Sequence, residues 1–215
     1  MKKYELSQID DYTYNIKVNM NAKILYACIK KILKNTIYDA DSQSIFISAE
    51  DVKSLYDYLM KVKMSHLKCI KMINDLTKQI NYLNNLNYGF YGLDIQDILV
   101  INNDLFLICS GDFLKSLTNN SNIIFYEPIK NPYFGSPDIL TLTSLPTTID
   151  FKCIYYSLGA LIVYCLLNEY LLKGNEIKSD EEINNILIPL QDTKIYWFLK
   201  RCLKTNCKKR LLLLI

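Results

Sequence analysis

The chain has 215 residues, half of them hydrophobic and 22% charged, with a formal net charge of +3. That balance excludes a disordered chain and gives no support to a nucleic-acid or anionic-membrane partner. At roughly 150 residues per domain, the length suits one domain, or one with a small lobe. The seven cysteines include no CxxC pair, and His66 is the only histidine. No Cys/His zinc framework can therefore be assembled, and the cysteines read as small buried hydrophobes in a reducing compartment. The first residues, MKKYELSQIDDYTY, lack the apolar stretch of a secretory signal, so an intracellular, cytoplasmic protein is expected.

Tyr12–Val18 alternates apolar and polar residues and reads as a half-buried strand. Ala22–Lys34 switches to helical spacing through Ile24, Leu25, Cys28, Ile29 and Ile32. IYDADSQSIFI then reads as a hairpin turning at Asp39–Ser44. Ser48, three residues before Asp51, suggests a capping box opening a short helix over Glu50–Met60. His66 to about Leu86 repeats Leu67, Ile70, Ile73, Leu76, Ile80 and Leu83 along one helical face. Ile98–Val100 and Leu105–Ile108 form two short strands around Asn102–Asp104. From Ser110 to about Leu140 the chain carries Gly111, Pro128, Pro132, Gly135 and Pro137 without clear periodicity, and reads as irregular. Cys153–Leu167 has no charge but is shorter than the roughly 20 residues of a membrane span, so a buried core helix is expected. A capped helix follows from Ser179, and an amphipathic one runs through Ile195–Leu203.

Three segments of the second half carry a resemblance. YFGSPDIL (Tyr133–Leu140), YYSLGALIVYCLL (Tyr155–Leu167) and FLKRCLKTNCKKR (Phe198–Arg210) stand in that order. They are similar to the APE segment, the start of the central buried helix and the terminal Arg motif of protein kinases. The resemblance extends backward to FYGLDIQDILV (Phe90–Val100), where kinases have the catalytic loop, and to LFLICSG (Leu105–Gly111), where they have the strand into D-F-G. YNIKV (Tyr14–Val18) falls on the strand that carries the phosphate-binding Lys. The chain is most similar to the short, degenerate kinase-like sequences of large DNA viruses. That resemblance implies a single α+β, protein-kinase-like domain over 1–215, with a reduced β-containing N-lobe over 1–48 and a mainly α-helical C-lobe over 49–215. It also implies an ion pair between Asp138 and Arg210. Gly159 stands inside the buried helix, where Gly costs roughly 1 kcal/mol relative to Ala, so a close approach by a neighbour is expected there.

Phosphoryl transfer needs a phosphate clamp, a Lys–Glu pair, a catalytic carboxylate and metal ligands. The first glycine is Gly89, so no Gly-rich loop can precede it. Lys17 matches the phosphate-binding Lys and is the one candidate cofactor-binding residue, but no acid occurs between Asp11 and Asp39 to pair with it. Gly92 stands at the catalytic Asp, Asp97 at the metal-binding Asn and Cys109 at the D-F-G Asp, with Asp94 and Asp112 out of register. Gly92 cannot take a proton, and Cys109 is a poor magnesium ligand. No catalytic residue and no metal ligand is assigned, and no cofactor is expected. The implied function is that of a pseudokinase that binds a protein partner, a kinase or kinase substrate being the candidates, in the host cytoplasm or virion if the chain is viral. Two alternatives stand beside it. One is a residual kinase or nucleotide binder using ATP and magnesium. The other is a helical structural protein with accidental resemblance.

Overall fold

The computed structural model describes residues 4–129, 131–173 and 176–214. Its first sheet has the order β1-β2-β4-β3 and is antiparallel throughout: β1 is Tyr4–Asp10, β2 Thr13–Val18, β3 Thr36–Asp39 and β4 Ser44–Ser48. Strand β2 buries Tyr14, Ile16 and Val18 on one face, as its alternation requires, while Tyr12 stays exposed beside the turn. Helix α1 (Ala22–Ile32) connects β2 to β3 and packs Leu25, Cys28 and Ile29 inward. The hairpin β3–β4 forms around the polar turn between Asp39 and Ser44.

Strand β5 (Val52–Ser54) comes next, followed by α2 (Leu55–Leu59). The helix expected from Glu50 starts later because the effective cap is Ser54, whose hydroxyl accepts the Asp57 N–H at 3.0 Å. Ser48 and Asp51 offer the same spacing, but Ser48 is already committed to the sheet. Helix α3 (His66–Asn85) is capped by Ser65. Its inner face includes two polar residues among the apolar ones. Gln79 donates from Nε2 to the Phe106 carbonyl at 2.9 Å and accepts the Ile108 N–H at 2.9 Å, and Asp75 accepts from Phe106 N–H at 3.3 Å. These bonds fix strand β8 (Leu105–Ile108), which pairs with β7 (Ile98–Ile101) in a sheet of order β5-β7-β8. Leu67, placed on the apolar face by its spacing, is instead 81% exposed.

The segment after Ser110 is not irregular throughout. It holds β9 (Leu114–Ser116), which pairs with β6 (Tyr88–Phe90), then β10 (Asn122–Phe125), which pairs with β11 (Thr147–Asp150). Helix α4 (Pro137–Leu140) lies between β10 and β11. Helix α5 spans Cys153–Leu167 and is buried on nearly all sides, ending at Asn168 in the left-handed conformation (φ 57°). The short hairpin β12 (Leu172–Lys173) and β13 (Glu176–Ile177) leads to α6 (Asp180–Leu187) and α7 (Lys194–Cys202). Ser179 caps α6 in a reciprocal capping box with Glu182. Among the described residues, no helix is long and apolar enough to cross a membrane.

The two-lobed kinase-like division does not describe this architecture. Strands β5 to β13 all follow residue 50 and sit in small antiparallel sheets, so the part expected to be mainly helical is mixed α/β. The physical reason is length. Apart from β7 and β8, which their dense apolar runs reveal, these strands have two to four residues, too few for a two-residue period to register. Several neighbouring turns are made by non-glycine residues with positive φ: Asn87, Asn102, Asn103 and Ser121. Asn adopts that conformation more readily than most residues, and it is abundant in this chain.

All seven cysteines are free thiols; six are buried and Cys207 is half-buried. Burial pushes the Cys28 and Cys69 thiols up to about 12, which keeps them protonated and chemically quiet.

Candidate functional site

The residues singled out by the kinase resemblance fall into three places. The first is the turn before β7. Asp94 precedes a 3₁₀ turn over Ile95–Asp97, the Asp97 N–H donates to the Asp94 carbonyl at 3.0 Å, and Asp97 Oδ2 accepts the Asp94 N–H at 3.2 Å. Asp97 is 1% exposed. Its carbonyl accepts both the N–H (2.8 Å) and the Sγ–H (3.2 Å) of Cys109, closing the β7–β8 hairpin. Asp97 and Cys109 are therefore brought together, as parts of one another's backbone support.

The first sheet covers this turn. The Tyr4 hydroxyl on β1 donates to the Gln96 carbonyl at 2.8 Å. Burial pushes the Tyr4 phenol well above its ordinary value, and the neighbouring Cys109, Asp97 and Asp57 push in the same direction. The Met20–Asn21 turn after β2 closes on the other side. Asn21 Nδ2 donates to the carbonyls of Gly111 (3.0 Å) and Leu114 (3.2 Å). A Cβ on Gly111 would lie 2.1 Å from the Met20 carbonyl oxygen, so only glycine fits there. Lys17 is not part of this contact. It is exposed, and its strand partner is Glu5, whereas Tyr4 pairs with Val18. Alternation along the strands puts Lys17 and Tyr4 on opposite faces, so the face that meets Asp97 carries a phenol and not an amine.

The second place is the loop around Gly92. A Cβ there would lie 2.1 Å from Pro132 Cγ. Leu93 and Phe134 exchange backbone hydrogen bonds at 3.2 and 2.9 Å, and Asp94 Oδ1 accepts the Tyr133 N–H at 2.5 Å. Asp94 thus anchors the Pro132–Phe134 segment. An open cleft of about 720 Å³ lies beside it, lined by Asp94, Tyr133, Tyr170, Glu169 and Lys178 among others. Two of its lining residues, Tyr133 and Tyr170, belong to an aromatic cluster that Phe134 and Tyr164 complete behind them. Tyr164 and Tyr170 stack at 4.7 Å, Tyr133 meets Tyr170 edge-on at 5.4 Å, and Phe134 tilts against Tyr164 at 5.6 Å. Desolvation first, then hydrogen bonds with Tyr133 and Tyr164, raise the Tyr170 phenol. Tyr133 remains 57% exposed. No local sequence pattern brings Tyr133, Phe134, Tyr164 and Tyr170 together, since they come from separate segments.

The third place is structural. Arg210 is fully buried, and its Nη1 lies 2.5 Å from Asp138 Oδ2. Nε donates to the Lys204 carbonyl at 2.7 Å, Nη2 to the Thr205 carbonyl at 3.0 Å, and Nη1 also reaches the Lys152 carbonyl at 3.5 Å. The guanidinium lies 5.3 Å from the centre of the Tyr156 ring. The contact joins α4, the start of α5 and the turn after α7. Gly159 lies nearby on α5, where a Cβ would stand 2.8 Å from Leu203 Cδ2.

Among the described residues, no group of three or more His, Cys, Asp or Glu side chains is placed to hold a metal ion. No protein-family model matches the chain, and no curated protein matches it.

Proposed function

We propose that the chain is a non-catalytic protein-binding module, a pseudokinase in the sense that kinase-type positions serve structure and not phosphate transfer. One observation carries this reading: the Tyr4 hydroxyl covers the turn that leads to Asp97 and Cys109, while Lys17 lies on the opposite face of the strands. Each remaining candidate group is already used locally. Asp94 holds the Tyr133 N–H, Asp97 holds the Asp94 N–H, and Gly92 makes room for Pro132. A general base must instead reach a substrate proton. The open tyrosine-walled cleft is the surface offered to a partner, since aromatic residues with polar tips give large contact area with few rotamers to freeze. The partner is a protein, a kinase or a kinase substrate fitting the resemblance, met in the cytoplasm; no bound cofactor is required.

The test is phosphate transfer. Purified chain incubated with ATP and either magnesium or manganese, with mixed Ser/Thr/Tyr peptides as acceptors, should give no labelled product above the rate of an Asp94→Asn, Asp97→Asn control. Labelling by the wild-type chain that this double variant abolishes would overturn the proposal.

A further inference from the structure

The turn joining α2 to α3 gathers the most exposed large apolar side chains in one stretch of sequence. Met60 is 71% exposed, Val62 45% and Leu67 81%, with Tyr56 at 41% just before them. Isolated exposed apolar residues need no explanation, but a contiguous set beside a concave surface marks an interaction site. Here the concave surface is a furrow of about 400 Å³, walled by Tyr56, Leu59, Met60, Val62, Ile95 and Tyr164. Among the described residues, the only charged ones in its lining are Lys61 and Lys63, both exposed. Neighbouring lysines are neutralised within the chain: Lys53 pairs with Asp51 at 2.6 Å and Lys68 with Asp104 at 2.8 Å. The furrow therefore combines an apolar floor with a cationic rim.

We propose that this furrow docks an acidic linear segment of a partner protein, with a large apolar anchor residue set between carboxylates. The inference rests on the reading of the chain as a protein-binding module and says what kind of partner it takes. Charge complementarity selects the acidic segment, and the depth of the furrow selects an anchor side chain. A flat bilayer would touch Met60, Val62 and Leu67 but leave the furrow empty. A second copy docked two-fold on the same patch would set Lys61 and Lys63 against their own equivalents. The furrow shares Tyr56, Ile95 and Tyr164 with a smaller cavity of about 340 Å³ that also contains Asp94, Tyr133 and Tyr170. A segment anchored in the furrow can thus continue, extended, onto the tyrosine-walled cleft.

A display library of random 16-residue peptides panned against the purified chain tests this directly. The selected peptides should be net negative, with acidic residues flanking a Leu, Ile, Phe or Met. Their affinities should fall at least about tenfold in a Lys61→Glu, Lys63→Glu variant and fall also in Met60→Ser, and should weaken as salt rises from 50 to 300 mM, as screened rim charges require. All three substituted residues are exposed, and unchanged melting curves would show that the variants remain folded. Selection of neutral or basic peptides, or of none, overturns the proposal. So does binding to phosphatidylserine vesicles, or self-association, that the charge reversal abolishes while leaving the selected peptides bound. The two readings fail separately: phosphate transfer alongside acidic-peptide binding sinks the non-catalytic reading alone, whereas an inert chain that selects no acidic peptide sinks the furrow alone.

Discussion

Arg210 and Asp97 are both ionisable side chains, both almost completely buried, and held in different ways. Arg210 is met by a carboxylate 72 residues away and by three carbonyls from two further segments. Asp97 takes the N–H of Asp94, three residues back, and its carbonyl takes the N–H of Cys109 across one hairpin. The first arrangement ties distant parts of the chain together, and the second shapes one turn. A buried charge thus reports long-range architecture only when its partners are remote. In the loop that resembles a catalytic loop, the Asp97 turn is shaped by bonds of the local kind, while Tyr4, Tyr133 and Phe134 reach it from remote segments at Gln96, Asp94 and Leu93.

Removing the remote contact should produce the largest loss. Arg210→Ala strands Asp138 and three carbonyls, and breaking a buried pair costs roughly 3–5 kcal/mol. Asp138→Ala should be comparable but smaller, because that carboxylate side chain is 19% exposed. Urea denaturation of both single variants and the double variant should give a double-variant cost below the sum, the mark of a direct interaction. Additive losses within about 0.5 kcal/mol would place Arg210 among ordinary surface cations.

Gly159→Leu comes next, at roughly 1–3 kcal/mol or more, because even a Cβ would collide with Leu203. Combining Gly159→Ala with Leu203→Ala should cost less than the sum of the two single losses, because the shorter side chain removes the contact. A neutral Gly159→Leu would mean that α5 and the end of α7 do not pack as described. The local side of the comparison predicts less. Asp97→Asn keeps an acceptor for the Asp94 N–H and should cost roughly 1–1.5 kcal/mol. A loss near that of Arg210→Ala would erase the distinction between the two sites.

The smallest effect is expected at α6. Ser179→Ala should cost about 1 kcal/mol, the usual value of an N-cap. Glu182, held below the ordinary carboxylate value by the Ser179 N–H and hydroxyl, contributes stability that is present above its unfolded pKa and is lost as pH falls through its lowered value in the fold. Glu182→Gln should flatten that acid-side part of the stability curve, measured by melting between about pH 3 and 6.

Helices α3, α5, α6 and α7 were legible because each repeats a helical period or a capping pattern over several turns, and β7 and β8 because they flank a polar turn with dense apolar runs. Asp138 and Arg210 were legible through the order of the three resembling segments. The rest depended on contacts that no local pattern encodes. Asp75 and Gln79 look like solvent residues on α3 until β8 arrives to use them. Tyr4 is one aromatic residue in a mostly exposed strand, and nothing in YELSQID says that its hydroxyl will meet the Gln96 carbonyl. The β-content of the second half was missed because strands of two to four residues carry too little pattern, and with it failed the expectation of a mainly helical lobe.

Nucleotide binding tests the central claim most directly, in the wild-type chain and in Tyr4→Ala. A ligand at 100 times its dissociation constant stabilises the native state by about 2.7 kcal/mol, which a melting experiment resolves readily. The account predicts no such rise for either protein with millimolar ATP and magnesium, because taking away the phenol does not bring Lys17 to the Asp97 face. A rise in the wild-type chain, or one that appears in Tyr4→Ala and disappears on adding Lys17→Ala, would contradict it.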